Sequence, residues 1–280
     1  MKKKFLAIAT CVAALALSCA VFAGCSSNNS SSSNSSGASS DSKTTLTVGF
    51  DQSYPPYGFV ADDGSYTGFD LDLAKAVCEK NGWEFKASPI DWDAKDALLA
   101  QGNINCIWNG FTREGREDNY TFSDSYMLNE QVIVVKSGSS ITDFASLAGK
   151  TVMTQVDSAA LEVLEGDQAS VAATFNGGAA QTIADYNNAF MQLESGMVDA
   201  VACDLSIAQY QIAQNPGKYT QLSTPLSSEH YAVGFKKGDT ELANKVTETL
   251  KELDADGTVK QLCEKYADYG MSYDNWVLGK

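Results

Sequence analysis

Leu98-Leu99-Ala100-Gln101-Gly102-Asn103-Ile104-Asn105-Cys106-Ile107 and Met191-Gln192-Leu193-Glu194-Ser195-Gly196-Met197-Val198-Asp199-Ala200-Val201 read as one unit written twice. Each is a helix end, a Gly stop, an Asn or Asp, and an apolar run that fits a buried strand. Outward from these copies, strand and helix patterns alternate, as in an α/β fold. The spacing predicts strands at 44–50, 84–87, 104–108 and 131–136, with helices at 70–81 and 93–101. The pattern then restarts. Strands are expected at 151–156, 171–174, 198–203 and 231–235. Helices are expected at 158–165, over most of 178–195, and at 205–214, 240–254 and 258–266, with Asp239 as a cap and Gly257 as a separator. The repeat points to two similar lobes.

The amino-terminal end carries an address. Lys2, Lys3 and Lys4 precede an uncharged, mostly apolar run from Phe5 to Ala23, which stops at Phe22-Ala23-Gly24-Cys25. A basic start, an apolar stretch and small residues before the cut describe a secretory signal over 1–24. An uncleaved membrane anchor is the alternative, and both readings place the remainder outside the cytoplasm. Residues 25–42 are almost all Ser, Asn, Gly and Ala and cannot build a core. They read as a tether whose 17 residues from Ser26 reach roughly 20–25 Å as a coil.

The chain of 280 residues has a formal charge of −15, and without the three signal lysines it holds 17 cations against 35 anions, near −18. Such a surface repels nucleic acid and anionic lipid. Cys11 and Cys19 fall in the signal. Cys78, Cys106, Cys203 and Cys263 lack metal-ligand spacing and lie in apolar runs, so they read as buried thiols. Nothing in the chain calls for a metal or a cofactor.

Ligands of open α/β sheets bind outside the carboxyl ends of the strands. The first strand is followed by Asp51 and Tyr54. The strand at 104–108 is followed by Asn109, Gly110 and Thr112, then by Arg113 and Arg116, the only arginines in the chain. Asp157-Ser158 follows the strand at 151–156, Asp204 follows the one at 198–203, and Trp92 precedes a helix. An arginine fork, exposed amides and a hydroxyl at a helix start favour a carboxylate. Asp204 favours an ammonium. Tyr54 and Trp92 offer aromatic faces, and Asp51 can accept from a polar side-chain end. Singly, Asp51 and Asp204 also read as turn or cap residues, Ser158 as an N-cap and Trp92 as core. Together they describe a pocket for a free α-amino acid.

Gly68-Phe69-Asp70-Leu71-Asp72-Leu73, followed by Val77, Cys78 and Asn81, resembles the signature of family 3 extracellular solute-binding proteins, the polar-amino-acid receptors of ABC importers. The resemblance runs from about Thr45 to Tyr266. It implies a periplasmic-binding-protein-like (type II) fold, with two α/β lobes joined by two crossover hinge strands. Lobe one would be 43–130 with 229–280, and lobe two 131–228. It also implies roles. Arg116 would bind the ligand carboxylate, helped by Asn109, Gly110, Thr112 and Ser158. Asp204 would bind the ammonium. Asp51, Tyr54 and Trp92 would contact the side chain, and Gln155 would line the cleft.

Two departures leave alternatives. The stretch from Thr112 to Arg116 is about one residue shorter than usual, so Arg113 competes for the carboxylate. Asp157-Ser158-Ala159 stands where the family has a Gly-Thr-Thr type turn. The Phe-Ala-Gly-Cys ending resembles a lipobox, which implies a diacylglycerol on Cys25 and a lipid anchor at the membrane. The implied partners are a free amino acid (glutamine, lysine or arginine favoured, cystine open), an ABC permease and its ATPase, and no nucleic acid. The rivals are a dehydratase-type enzyme on the same fold, centred on Glu229 and His230, and a ligand-sensing domain.

Overall fold

The computed structural model describes residues 44–279; the signal-like segment 1–24, Cys25 and the tether lie outside the described residues. The chain opens with β1 (Thr45–Phe50) and a small antiparallel meander of β2 (Ser53–Tyr54), β3 (Gly58–Val60) and β4 (Tyr66–Thr67). Helix α1 (Phe69–Asn81), β5 (Glu84–Pro89), α2 (Lys95–Gln101), β6 (Cys106–Ile107) and β7 (Tyr120–Phe122) follow. The long β8 (Met127–Lys136) leads to β9 (Val152–Gln155), α3 (Ala159–Glu165), α4 (Ala169–Ala172) and β10 (Gln181–Ile183). Next come α5 (Tyr186–Ser195), β11 (Ala200–Asp204), α6 (Leu205–Gln214) and β12 (Tyr219–Gln221). The return path is β13 (Ser227–Tyr231), β14 (Gly234–Lys236), α7 (Thr240–Ala255) and α8 (Thr258–Lys265).

Two sheets result. The first has the order β5-β1-β6-β14-β7, with β1 parallel to β5 and β6 and with β14 antiparallel to both its neighbours. The second has the order β10-β9-β11-β8-β12, with β9, β10 and β11 parallel and β8 antiparallel. β8 takes the chain from the first sheet to the second and β13 brings it back. These two strands pair with each other, Asn129 opposite Glu229 and Gln131 opposite Ser227. This is the two-lobe architecture with two crossover strands that the resemblance implied.

Strand periodicity explains how each sheet is covered on both faces. In β8, Val132 and Val134 pack with Phe190, Leu193 and Ile207, while Ile133 and Val135 pack with Leu164, Leu147 and Leu226. In the first sheet, Val48 and Phe50 share one core cluster with Leu73 and Val77 of α1 and with Val246 and Leu250 of α7. Ile107 faces Leu99 of α2 and Phe111 on the other side. Cys78, Cys106 and Cys203 are thiols, and with Cys263 they are buried, as their apolar runs predict.

Several expectations are corrected. The run at 171–174 is not a strand: residues 169–172 form α4. The strand beside β9 is instead Gln181–Ile183, so the helix expected over 178–195 begins only at Tyr186, where the Asp185 carboxylate accepts the Asn188 N–H. Among the described residues β10 pairs with β9 alone, and it is largely exposed. An edge strand needs little apolar sequence, and so it leaves a weak signal. The strand expected at 231–235 is split between β13 and β14, which serve different sheets. Asp239 gives no side-chain cap to α7. Strands of two or three residues, such as β2, β4 and β7, are too short for a periodic signal.

Candidate ligand-binding site

The loop after β6 is held from below. Gly110 donates its N–H to Asp70 at 2.6 Å, and the Tyr126 hydroxyl donates to both oxygens of that carboxylate at 2.8 and 2.9 Å. Asp70 is fully buried, and burial pushes its carboxyl up to about 7. Gly110 has φ +57°, and a Cβ there would lie 3.0 and 3.1 Å from the rings of Tyr231 and Tyr54. The turn therefore needs glycine on both conformational and steric grounds. Asn109 accepts the Asp51 N–H at 2.6 Å, which ties the end of β6 to the end of β1.

The second lobe supplies three positions. Ser158 caps α3, its hydroxyl accepting the Leu161 N–H at 3.1 Å, and it also faces Thr154 Oγ1 at 3.1 Å. Gln155 ends β9, and Asp204 ends β11. Asp204 gives α6 no side-chain cap bond. Its Oδ1 instead accepts from Asn129 at 3.0 Å, Gln131 at 2.6 Å and Tyr231 at 3.0 Å.

One cavity, with about 280 Å³ of atom-free space, is lined by Tyr54, Trp92, Asn109, Gly110, Thr112, Arg116, Gln155, Ser158, Ala159 and Asp204. Of the ten residues given ligand roles from the sequence, all border it except Asp51. The Asp51 carboxylate accepts from Gln155 Nε2 at 2.7 Å and from the Ser53 N–H at 2.8 Å. Burial raises its pKa. Asp51 borders a neighbouring cavity with about 850 Å³ of atom-free space together with Asp91, Asp93 and Asp185, and Trp92 borders both spaces.

Arg116 is buried, its guanidinium 4.8 Å from the centre of the Phe111 ring. Nε and Nη2 donate to Glu162 Oε1 at 3.1 and 2.8 Å. Nη1 and Nη2 also reach the carbonyls of Thr112 and Asp157, each at 3.4 Å. Those long contacts are ones a ligand carboxylate could replace. Arg113 is partly exposed and does not border the cavity. Asp157 adopts φ +53°, the left-handed region. Its carbonyl accepts from Trp92 Nε1 at 3.1 Å, and its carboxylate faces Lys95 at 3.4 Å rather than the cavity.

Residues 46–269 match the bacterial extracellular solute-binding proteins, family 3. The chain belongs to this family. It is 28% identical over 225 residues to the L-cystine-binding protein TcyJ of Escherichia coli, covering 79% of this chain and 82% of that one. It is 28% identical over 243 residues to an L-arginine-binding protein of Pseudomonas aeruginosa, covering 82% and 90%. The structure of an ABC uptake transporter substrate-binding protein from Streptococcus pneumoniae with bound histidine superposes with a TM-score of 0.78. That chain is 35% identical, over 84% of this chain and 95% of its own.

Three features of this family 3 protein were not read from its sequence. Glu162, the partner of Arg116, lies four residues after Ser158 and so on the same face of α3; that spacing was the available signal. Asn129 and Gln131 sit inside a crossover strand, where polar residues gave no hint of a role. Asp70, which the sequence shows only as part of the helix signature, is a buried anchor for Gly110. The Glu229–His230 pair is not assembled: Glu229 is buried against Thr112, Asn129 and Gln131, whereas the His230 ring pairs with Glu114 at 2.7 Å. Alternation along β13 turns the two side chains to opposite faces. Among the described residues no group of three or more His, Cys, Asp or Glu is arranged to hold a metal ion.

Glu162 is half exposed while Arg116 is buried. Water therefore screens the pair, and Glu162→Gln is expected to change ligand affinity by at most about 1 kcal/mol, read by calorimetric titration.

Proposed function

We propose that this protein captures a free polar amino acid outside the cytoplasm and hands it to an ABC importer. The observation that carries the reading is the pairing, around one cavity, of a buried arginine with a buried carboxylate from the opposite lobe. Arg116 holds the α-carboxylate with Ser158, Thr112 and the amides of the Asn109–Gly110 turn. Asp204 holds the α-ammonium. Tyr54 and Trp92 flank the side chain, Gln155 lines the cleft, and Asp51 receives the side chain's polar end. Lobe one comprises 43–130 and 229–280, lobe two 131–228, and the ligand favours the closed arrangement by touching both.

The relatives named above for cystine, arginine and histidine support the amino-acid class. Asp51 and the three further aspartates around its cavity favour a donor at the far end of the ligand: glutamine, lysine, arginine, or the second ammonium of cystine. The reading assigns binding and no chemistry to the site. It also includes removal of a signal over 1–24 and a lipid on Cys25, followed by the tether. Cys25→Ala is expected to move the protein from the membrane fraction to the medium or the soluble extract, and an unchanged distribution would remove the anchor.

The test of cargo is calorimetric titration of protein unfolded and refolded to strip carried ligand, against the twenty amino acids and cystine. Saturable binding of one or a few is expected. The absence of binding by any of them would remove the amino-acid reading and turn attention to other small acids.

A further inference from the structure

The crossover strands hold a second carboxylate beside the proposed ammonium site. Asn129 Nδ2 donates to Asp204 Oδ1 at 3.0 Å and to Glu229 Oε1 at 2.9 Å. Gln131 Nε2 does the same at 2.6 and 2.8 Å. Two amides thus bridge one oxygen of each acid, and Thr112 Oγ1 adds a third donor to Glu229 at 2.7 Å. Both acids are more than nine-tenths buried. Among the described residues, no lysine, arginine or histidine forms an ion pair with either.

The groups facing this pair offer it no countercharge. Tyr231, Tyr54 and Tyr186 are phenols held above their ordinary range by burial, and so stay neutral. The Cys203 thiol is likewise pushed up by burial. Arg116 makes no ion pair with either acid: it reaches the carbonyls of Thr112 and Asp157, and its charge is taken by Glu162. His230 turns to Glu114. Glu114, Glu162 and Asp167 border the cavity, with about 820 Å³ of atom-free space, that meets Glu229, and all three are acids. Two neighbouring carboxylates without a cation cannot both stay ionised at low cost.

We propose that Glu229 carries a proton in the ligand-free receptor and that the ammonium of an amino acid arriving at Asp204 displaces it, so that binding releases a proton. This rests on the reading of Asp204 as the ammonium site. Asp204 Oδ1 is saturated by Asn129, Gln131 and Tyr231, so the ammonium meets its other oxygen. The ligand arrives and stays as an ammonium, Glu229 loses its proton to water, and the cation then faces both carboxylates. The cavity beside Glu229 gives the proton a route to water. Burial, and then the Asp204 charge, hold the Glu229 carboxyl up to about 7, which sets the window.

Titrations of ligand-stripped protein with L-glutamine, L-arginine and L-cystine, in buffers of different ionisation heat at one pH near 6, count the protons released. The expected result for the amino acid that binds is a heat that varies linearly with buffer heat, with a slope between one half and one proton. In Glu229→Gln the slope should fall to near zero. Equal heats in all buffers for the wild type would overturn the proposal, as would a slope that survives in the variant, because the proton would then come from elsewhere. The wild type alone gives a second reading should the variant not fold. Its affinity should rise with pH by up to tenfold per unit below about 7 and level off above. A flat profile overturns the proposal. If none of the probes and no other amino acid binds at all, the receptor reading fails and takes this one with it.

Discussion

Arg116→Ala is expected to weaken amino-acid binding by about 2–5 kcal/mol, because a ligand carboxylate would be left in a closed cleft without its fork. The size follows from burial. Arg116 is 5% exposed, and its guanidinium is set by Phe111 on one face and by Glu162 at Nε and Nη2. Lysine would keep the charge but lose the paired geometry, so Arg116→Lys should recover only part of the loss. Arg113 is the internal control. It is partly exposed and lies away from the cavity, and Arg113→Ala should bind within about twofold of the wild type, a change below about 0.5 kcal/mol. If the two arginines exchange these results, the shorter Thr112–Arg116 stretch has moved the role to Arg113. If neither matters, the carboxylate site is wrong.

Asp204→Asn should act in opposite directions on binding and on stability. Binding should weaken by about 2–5 kcal/mol, since the amide offers the ligand ammonium no charge. The ligand-free protein should become more resistant to urea at pH 8, because the substitution relieves repulsion between Asp204 and Glu229 while an amide oxygen can still accept from Asn129, Gln131 and Tyr231. A folded pKa for Glu229 above its ordinary value means stability that is present in acid and lost as pH rises through about 7. The stability gain of the variant should therefore be small at pH 5 and larger at pH 8. A loss of stability at both pH values would mean that Asp204 is a structural anchor first.

Much of this was legible in the sequence, for identifiable reasons. Arg116 stood out because the chain uses arginine only twice. Asp204, Ser158 and Asn109, which border one cavity, could be picked out because they follow strand ends of an α/β sheet. Glycines with a real conformational demand, Gly82 and Gly110, marked a helix stop and a turn. The two-lobe order followed from the repeated helix-Gly-strand unit. What was not legible depends on contacts between distant segments. Asp51 lies at the right strand end, yet Gln155 from the other lobe takes its carboxylate, and it borders the adjoining space. Asn129 and Gln131 gain meaning only when β13 is laid beside β8 and brings Glu229 opposite. The edge strand at 181–183 carries two polar residues and one isoleucine, which no periodic rule picks out. The strand expected at 171–174 overlaps the helix at 169–172, because two β-branched residues in a four-residue window carry too little information.

The central claim is that one small ligand is held by both of its charged α-groups. The most direct measurement titrates the amino acid that binds tightest beside its α-amide and its Nα-acetyl derivative. Each derivative removes one charge and leaves the side chain intact. Each is expected to bind at least about a hundredfold more weakly, or about 2.7 kcal/mol. Binding of either derivative within twofold of the parent would contradict the account, because the cavity would then be reading something other than the α-carboxylate at Arg116 and the α-ammonium at Asp204.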